Sequence, residues 1–407
     1  MIKLKNTDKA VKRLVLALKN GEKIGIWSDY DPDGTFALTL AYEALLNAGF
    51  KKKDLMLSLP DQHKYRRSFN KFHLKIFKKA GIKLILGIDF GTTDFKEVGW
   101  AKKMGFEVML LDHHRQRPGK LPALLINPWQ KGDSSKVKNW SGTGVAYLFF
   151  ENLYDRLKLD RKKLENSIDL VLIPAITDYI EINKGNLPYL RKSLEKIKTG
   201  DRPGLSISLK QLGLNKKSGI EDFEDKRAVL CDFYGTLKGN GKQNNVFNLL
   251  LAENEAAATK ISGGIKKDFL MFEKYVNSMI KQGVKKFGSS GSEKDLRFIL
   301  WGTDKDIEMI GAGSKIATGL NSYFKVPVYF YNREKNIMKG SIRAGFSKDL
   351  NVVDSLKITP ELFLAFGGHP RAAGFYILKS DLPALERSLE KFYGDHAVSV
   401  SKQQLFS

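Results

Sequence analysis

Three short apolar runs end in aspartate, and helical patterns separate them. No other feature constrains the fold of this chain more. Lys23-Ile24-Gly25-Ile26-Trp27 runs into Ser28-Asp29-Tyr30-Asp31-Pro32-Asp33-Gly34. Lys83-Leu84-Ile85-Leu86-Gly87-Ile88 runs into Asp89, and Val108-Met109-Leu110-Leu111 into Asp112-His113-His114. Short runs rich in Ile and Leu, bounded by turn residues, predict buried parallel strands. Helices are expected at Phe36 to Ala48, Phe69 to Ala80 and Phe95 to Met104. Alternating strands and helices predict an α/β fold, a doubly wound, mostly parallel sheet with its active edge at the strand ends.

A fourth apolar segment, Ile168 to Thr177, reads as a buried helix ending in Asp178. With it the candidate set is Asp29, Asp31, Asp33, Asp89, Asp112, His113, His114 and Asp178. Carboxylates dominate, and oxygen-rich sets suit Mn²⁺ or Mg²⁺ better than structural zinc. So many acids together repel unless cations neutralise them. Two ions sharing carboxylates point to a phosphoryl-transfer hydrolase. A calcium loop is excluded for Asp29 to Leu40, because the twelfth position is Leu40 and a strand flanks the loop.

Asp31-Pro32-Asp33-Gly34, Asp89, Asp112-His113-His114 and Asp178 resemble, in order, the motifs of the DHH phosphoesterase superfamily. Gly185 to Arg191 and Thr199 to Leu205 are similar to the segment that follows in RecJ-type single-strand exonucleases. Lys339-Gly340-Ser341-Ile342-Arg343 and Phe366-Gly367-Gly368-His369-Pro370-Arg371 resemble the associated accessory domain. The resemblance spans roughly residues 20 to 390. It implies that Asp33, Asp89, His113 and Asp178 hold one Mn²⁺ or Mg²⁺. Asp29 and Asp31, with Asp89 bridging, would hold the second. His114 would stabilise developing charge, and Asp112 would orient a histidine. Ser341, Arg343, Gly367, Gly368, His369 and Lys242 would bind the strand, across a narrow cleft that excludes duplex. The implied activity is 5′-to-3′ hydrolysis of single-stranded DNA to mononucleotides, in repair and recombination. A nano-RNase, a cyclic-dinucleotide phosphodiesterase or a non-catalytic nucleic-acid-binding subunit are the alternatives.

Departures from the family pattern concern strand grip. Trp27 stands where many superfamily members carry a histidine, and Asp29 is the RecJ-type substitute. Gln62 stands where an arginine holds the 5′ phosphate, with His63, Lys64, Arg66 and Arg67 nearby. Lys242 replaces another arginine, and Lys305-Asp306-Ile307-Glu308 replaces a Trp-His segment. The oligonucleotide-binding barrel of larger relatives is expected to be absent, so a single-strand-binding or repair partner would supply grip to a monomer.

A formal net charge of +23 and a sequence pI near 9.7 favour a polyanionic partner. One cysteine, Cys231, in 407 residues excludes a disulfide framework and suits a reducing, cytoplasmic setting. The first apolar run, Leu14 to Leu18, is too short for a signal peptide, and no run is long enough to span a membrane. The expected organisation is a catalytic domain over 1–215, a linker with a long connecting helix over 216–290, and a smaller α/β accessory domain over 291–407. The periodicity predicts that helix over Val246 to Lys285, kinked at Gly263-Gly264. Accessory strands are expected around Phe298 to Trp301, Val326 to Tyr331 and Gly374 to Leu378, and Gly367-Gly368-His369 as a loop. Gly142-Thr143-Gly144 reads as a helix start. Trp129 and Trp140 could stack bases, with core packing the simpler reading.

Overall fold

The computed structural model describes residues 2–58, 68–235, 245–288, 296–306, 311–334, 336–344 and 350–395. They fall into two compact units, Met1–Lys267 and Asp268–Ser407, and the division lies inside the segment 216–290. The positions of Gln62, His63, Lys64, Arg66, Arg67, Lys242, Ile307 and Glu308 lie outside the described residues. Among the described residues no helix is long and apolar enough to cross a membrane.

The first unit is built on a parallel sheet of β1 (Ile24–Ser28), β2 (Leu55–Ser58), β3 (Leu84–Ile88), β4 (Glu107–Leu111) and β5 (Leu124–Ile126). Their order is β2-β1-β3-β4-β5, and every pairing is parallel. The chain moves outward in opposite directions from β1 and β3. The crevice beyond their carboxyl ends is therefore the topological switch point, where such sheets bind ligands. All residues of β1 and β3 are buried, as their unbroken apolar runs require.

Register decides where the aspartates emerge. Ser28 pairs with Ile88, and Ile88 with Leu111, so the strands end level. The ladder continues one step, with Asp29 N donating to Ile88 O and Asp89 N to Leu111 O at 2.9 Å. Helix Pro32–Asn47 starts at once, with Asp31 as N-cap accepting from Gly34 N at 2.9 Å and Pro32 in the first turn. Gly34 is required here, since a Cβ would lie 2.4 Å from the carbonyl oxygen of Asp29. The helix is buried along nearly its whole length, through Phe36, Leu38, Leu40, Ala41 and Leu45. Trp27 points into the core against Phe69 and Phe77, so the indole packs there and offers no ligand.

Two helices replace the expected continuous one: Asn245–Leu250 and Glu255–Gly288. The break has a physical cause on each side. Arg202 Nη1 donates to the carbonyl of Leu250 at 2.7 Å, and Asn254 Oδ1 accepts from Ala257 N at 2.9 Å to begin the next helix. The second helix is continuous through Gly263-Gly264. The segment before Asp178 is likewise divided, into a 3₁₀ turn Ile168–Leu170 and the short helix Leu172–Thr177.

The second unit carries a mixed sheet of β6 (Ile299–Asp306), β7 (Val328–Glu334), β8 (Ile337–Arg343), β9 (Phe363–His369) and β10 (Ala372–Ile377), in the order β6-β7-β8-β10-β9. Only β6 and β7 pair in parallel. Alternation along β7 sends Val328 and Phe330 into a core with Phe272, Ile316 and Leu320. Tyr329 enters the opposite core, with Ile342, Phe375, Leu385 and Tyr393. Helices thus cover both faces. Gly367-Gly368-His369 is the end of strand β9 and not the expected loop, because its backbone pairs with Ala372 to Gly374 of β10.

Candidate active site

Ligand atoms gather at the switch point of the first unit. Asp29, Asp31 and Asp89 present carboxylate oxygens all within 4.8 Å of one another, and so do the ligand atoms of Asp33, His113 and Asp178. His113 Nε2 lies 3.2 Å from Asp89 Oδ1, 3.4 Å from Asp178 Oδ2 and 3.9 Å from Asp33 Oδ2. Asp89 therefore adjoins both groups. Its φ of 66° is left-handed, a conformation that Asp tolerates better than most residues.

Asp33 is anchored from far along the chain. Its carboxylate accepts from Gly142 N at 2.6 Å, Thr143 N at 2.8 Å and Thr143 Oγ1 at 2.7 Å. Those donors open helix Gly142–Leu157, whose first amides lack partners within the helix and favour negative charge. Ser141 caps the same helix, accepting from Gly144 N at 3.1 Å. A Cβ on Gly142 would lie 2.5 Å from both Cβ and Oδ1 of Asp89, so the helix start fits between the two aspartates only as glycine. The sequence marked this stretch as a helix start and missed its role. The available signal was the run of small residues in Ser141-Gly142-Thr143-Gly144.

Asp112 is wholly buried and saturated. It accepts from Thr92 N at 2.8 Å, His113 N at 2.7 Å and His114 Nδ1 at 2.8 Å. Burial pushes its carboxyl up, but the His114 hydrogen bond and the two imidazoles win and hold it below the usual carboxylate range. Asp112 thus orients His114, whose ring centroid sits 4.5 Å from that of His113.

The other acids behave oppositely. Burial first, and then Asp33, Asp31, Asp29 and Asp178, push Asp89 well up. Asp31 is raised by burial and by Asp33, and Asp178 rises to about 8 for the same reasons. Burial lowers His113. Asp89 Oδ1 and His113 Nε2 are buried with no hydrogen-bond partner. Buried polar atoms are ordinarily satisfied. Two orphaned ligand atoms facing each other among mutually repelling carboxylates fit a divalent cation.

In the second unit, β10 lines up the expected strand-binding residues. Ala372 pairs with Arg343 on one side and His369 on the other; Gly374 pairs likewise with Ser341 and Gly367. Residues in opposed pairs and two apart share a face, so Ser341, Arg343, Gly367 and His369 stand on one face of β8-β10-β9. Ala372 and Gly374 form a low floor between them. Arg343 is fixed beside helix Ala312–Phe324, donating to Ser314 Oγ and, at 3.2 Å, to Thr318 Oγ1. Gly368, with φ of 150°, faces the other way; a Cβ there would strike Ala372 O and Ala373. Lys242 lies outside the described residues.

Residues 23–175 match the model of the DHH family, N-terminal domain. The first unit carries a DHH domain. Over nearly its whole length, the chain is 25% identical over 396 residues to the single-stranded-DNA-specific exonuclease RecJ of Bacillus subtilis, an alignment of 95% of this chain and 48% of that protein. It is 23% identical over 395 residues to the RecJ of Thermus thermophilus, covering 96% of this chain and 55% of that protein. The chain spans about half the length of these curated relatives. A crystal structure of exonuclease RecJ bound to manganese superposes with a TM-score of 0.80 at 21% identity, over 97% of this chain and 95% of that one. The α/β architecture, a parallel-sheet unit followed by a second sheet unit, is thus shared with that structure.

Proposed function

We propose that this chain is a RecJ-like, metal-dependent phosphodiesterase that degrades single-stranded DNA from the 5′ end to mononucleotides. The carrying observation is the paired set of ligand atoms at the switch point, joined through Asp89 and His113. In this reading Asp33, Asp89, His113 and Asp178 hold one Mn²⁺ or Mg²⁺, and Asp29, Asp31 and Asp89 hold another. When bound, such ions acidify water and neutralise charge on a phosphoryl group. The chain's own residues do the rest. Gly142 and Thr143 aim the Asp33 carboxylate. Asp112 takes the Nδ1 side of His114 and so sets the orientation of the imidazole, which in this reading meets charge on the reacting phosphate. Arg343, Ser341 and His369 present donors to a strand phosphate, above a floor low enough for backbone to approach. The excess of positive charge draws the polyanion in and makes binding salt-sensitive.

The similarity to RecJ of B. subtilis and T. thermophilus supports the choice of single-stranded DNA. The test is digestion of 5′- and 3′-labelled single-stranded DNA, RNA and cyclic dinucleotides with Mn²⁺ or Mg²⁺. Mononucleotide release from the 5′ end of DNA is expected. Cleavage confined to cyclic dinucleotides or short RNA would overturn the substrate. Inactivity on every substrate would overturn the enzyme.

A further inference from the structure

Arg115 directly follows His114, and its guanidinium carbon lies 3.2 Å from the centroid of the Trp129 ring. Arg115 is exposed, so the stacked pair presents a flat cationic surface to solvent. Two loops at the carboxyl edge of the sheet, one after β4 and one after β5, carry it. A buried asparagine ties both loops to the site. Asn127 Nδ2 donates to His114 O and to Thr92 Oγ1, each at 2.9 Å, and Asn127 Oδ1 accepts from Trp129 N at 2.7 Å. Thr92 in turn donates its amide to Asp112. Lys131 N donates to Gln116 Oε1 at 3.3 Å, closing the second connection between the loops. Arg117, Lys120 and Lys131 are exposed in the same two loops, and residues 115–120 and 128–132 contain no carboxylate.

We infer that the Arg115–Trp129 pair is a stacking platform for a nucleobase of the strand, next to the phosphate held at the metal centre. The inference rests on the proposed nucleic-acid substrate and adds a base-contacting element to it. Guanidinium planes and aromatic rings both stack on bases without reading sequence. An indole beneath the guanidinium holds that plane in place before the base arrives, so less order is lost on binding. The neighbouring cations serve the phosphates on either side. A duplex offers no free base face inside its stack, so the platform favours single strands.

The test compares wild type, Arg115→Ala, Arg115→Lys and Trp129→Leu on single-stranded DNA carrying one abasic residue at successive positions from the 5′ end. Wild type should slow at one position, where the missing base would have met the platform. Arg115→Ala and Trp129→Leu should raise KM on intact strands on the order of tenfold and lose that position-specific slowing. Arg115→Lys should behave like the alanine variant, because it keeps the charge and loses the plane. Wild-type KM in Arg115→Lys, or abasic slowing that persists in Arg115→Ala, would overturn the platform. Arg115 is exposed, so these variants leave the core unchanged if Trp129→Leu fails to fold. If wild type cleaves nothing, the proposed activity fails on its own. Equilibrium binding of the same abasic series to wild type and Arg115→Ala, read by fluorescence anisotropy in chelator, then decides the platform separately.

Discussion

Thr143→Val tests the anchoring of Asp33 with little change of shape. The substitution deletes the hydroxyl that donates to Asp33 Oδ1 at 2.7 Å and keeps the amides of Gly142 and Thr143 at 2.6 and 2.8 Å. One of three donors to that carboxylate is lost. A hydrogen bond to a charged group contributes about 1.5–3 kcal/mol. Removing a partner that orients a metal ligand typically lowers metal affinity about 10- to 100-fold, the same range in free energy. The Mn²⁺ concentration for half-maximal hydrolysis should therefore rise about 10- to 100-fold, with most of the rate recovered at saturating Mn²⁺. Calorimetric titration with Mn²⁺ should show the same shift, and Thr143→Ser should restore wild-type behaviour. A midpoint within about twofold of wild type in both measurements would show that the helix amides alone orient Asp33, and the reasoning from the hydroxyl would fail.

Asp89→Ala should abolish hydrolysis in Mn²⁺, because Asp89 is assigned to both proposed ions, lying in one ligand group and 3.2 Å from His113 of the other, and should raise the melting temperature in chelator by removing a repelled buried carboxylate; activity assays and thermal melts check the two halves separately. The pH dependence of the metal-free protein follows from Asp178, raised from 3.8 to about 8 in the fold. The folded state holds that proton more tightly than the unfolded chain, so the stabilisation is complete below the unfolded value and is lost as pH climbs through the folded one. Melting temperature in chelator should fall between about pH 4 and pH 8 and level off above, and saturating Mn²⁺ should flatten the fall; a rise with pH in chelator would contradict the assignment. Arg202 spends its five N–H donors on Asp169, Glu43 and the Leu250 carbonyl. Arg202→Ala leaves two carboxylates unpaired and should cost about 3–5 kcal/mol in chemical denaturation.

The candidate site was legible wherever chemistry and local pattern coincide. Aspartate at the end of an apolar run is a one-dimensional signal, and Asp29, Asp89 and Asp112 each carry it. Asp178 closes a short helix and was found the same way. The parallel sheet followed from strands buried on both faces. In the second unit the strand Ile337–Arg343 is not among those expected from the sequence, although its burial alternates. Paired glycines in β9 looked like a turn, since the residues that pair with them lie on another strand.

What only the tertiary structure decided is the relation between residues distant in sequence. A period of 3.6 continues across residues 251–254, yet the helix stops there, because Arg202 takes the Leu250 carbonyl from about fifty residues upstream. Asp33 receives its three donors from residues more than a hundred positions away. The sequence alone determined which residue types stand at the strand ends, and hence the class of chemistry. Parallel register set those strand ends level, and a helix start as small as Gly142 slid between Asp33 and Asp89. Hydrogen bonds and close contacts act over a few ångströms in space, whatever the separation along the chain, so no local pattern could announce them.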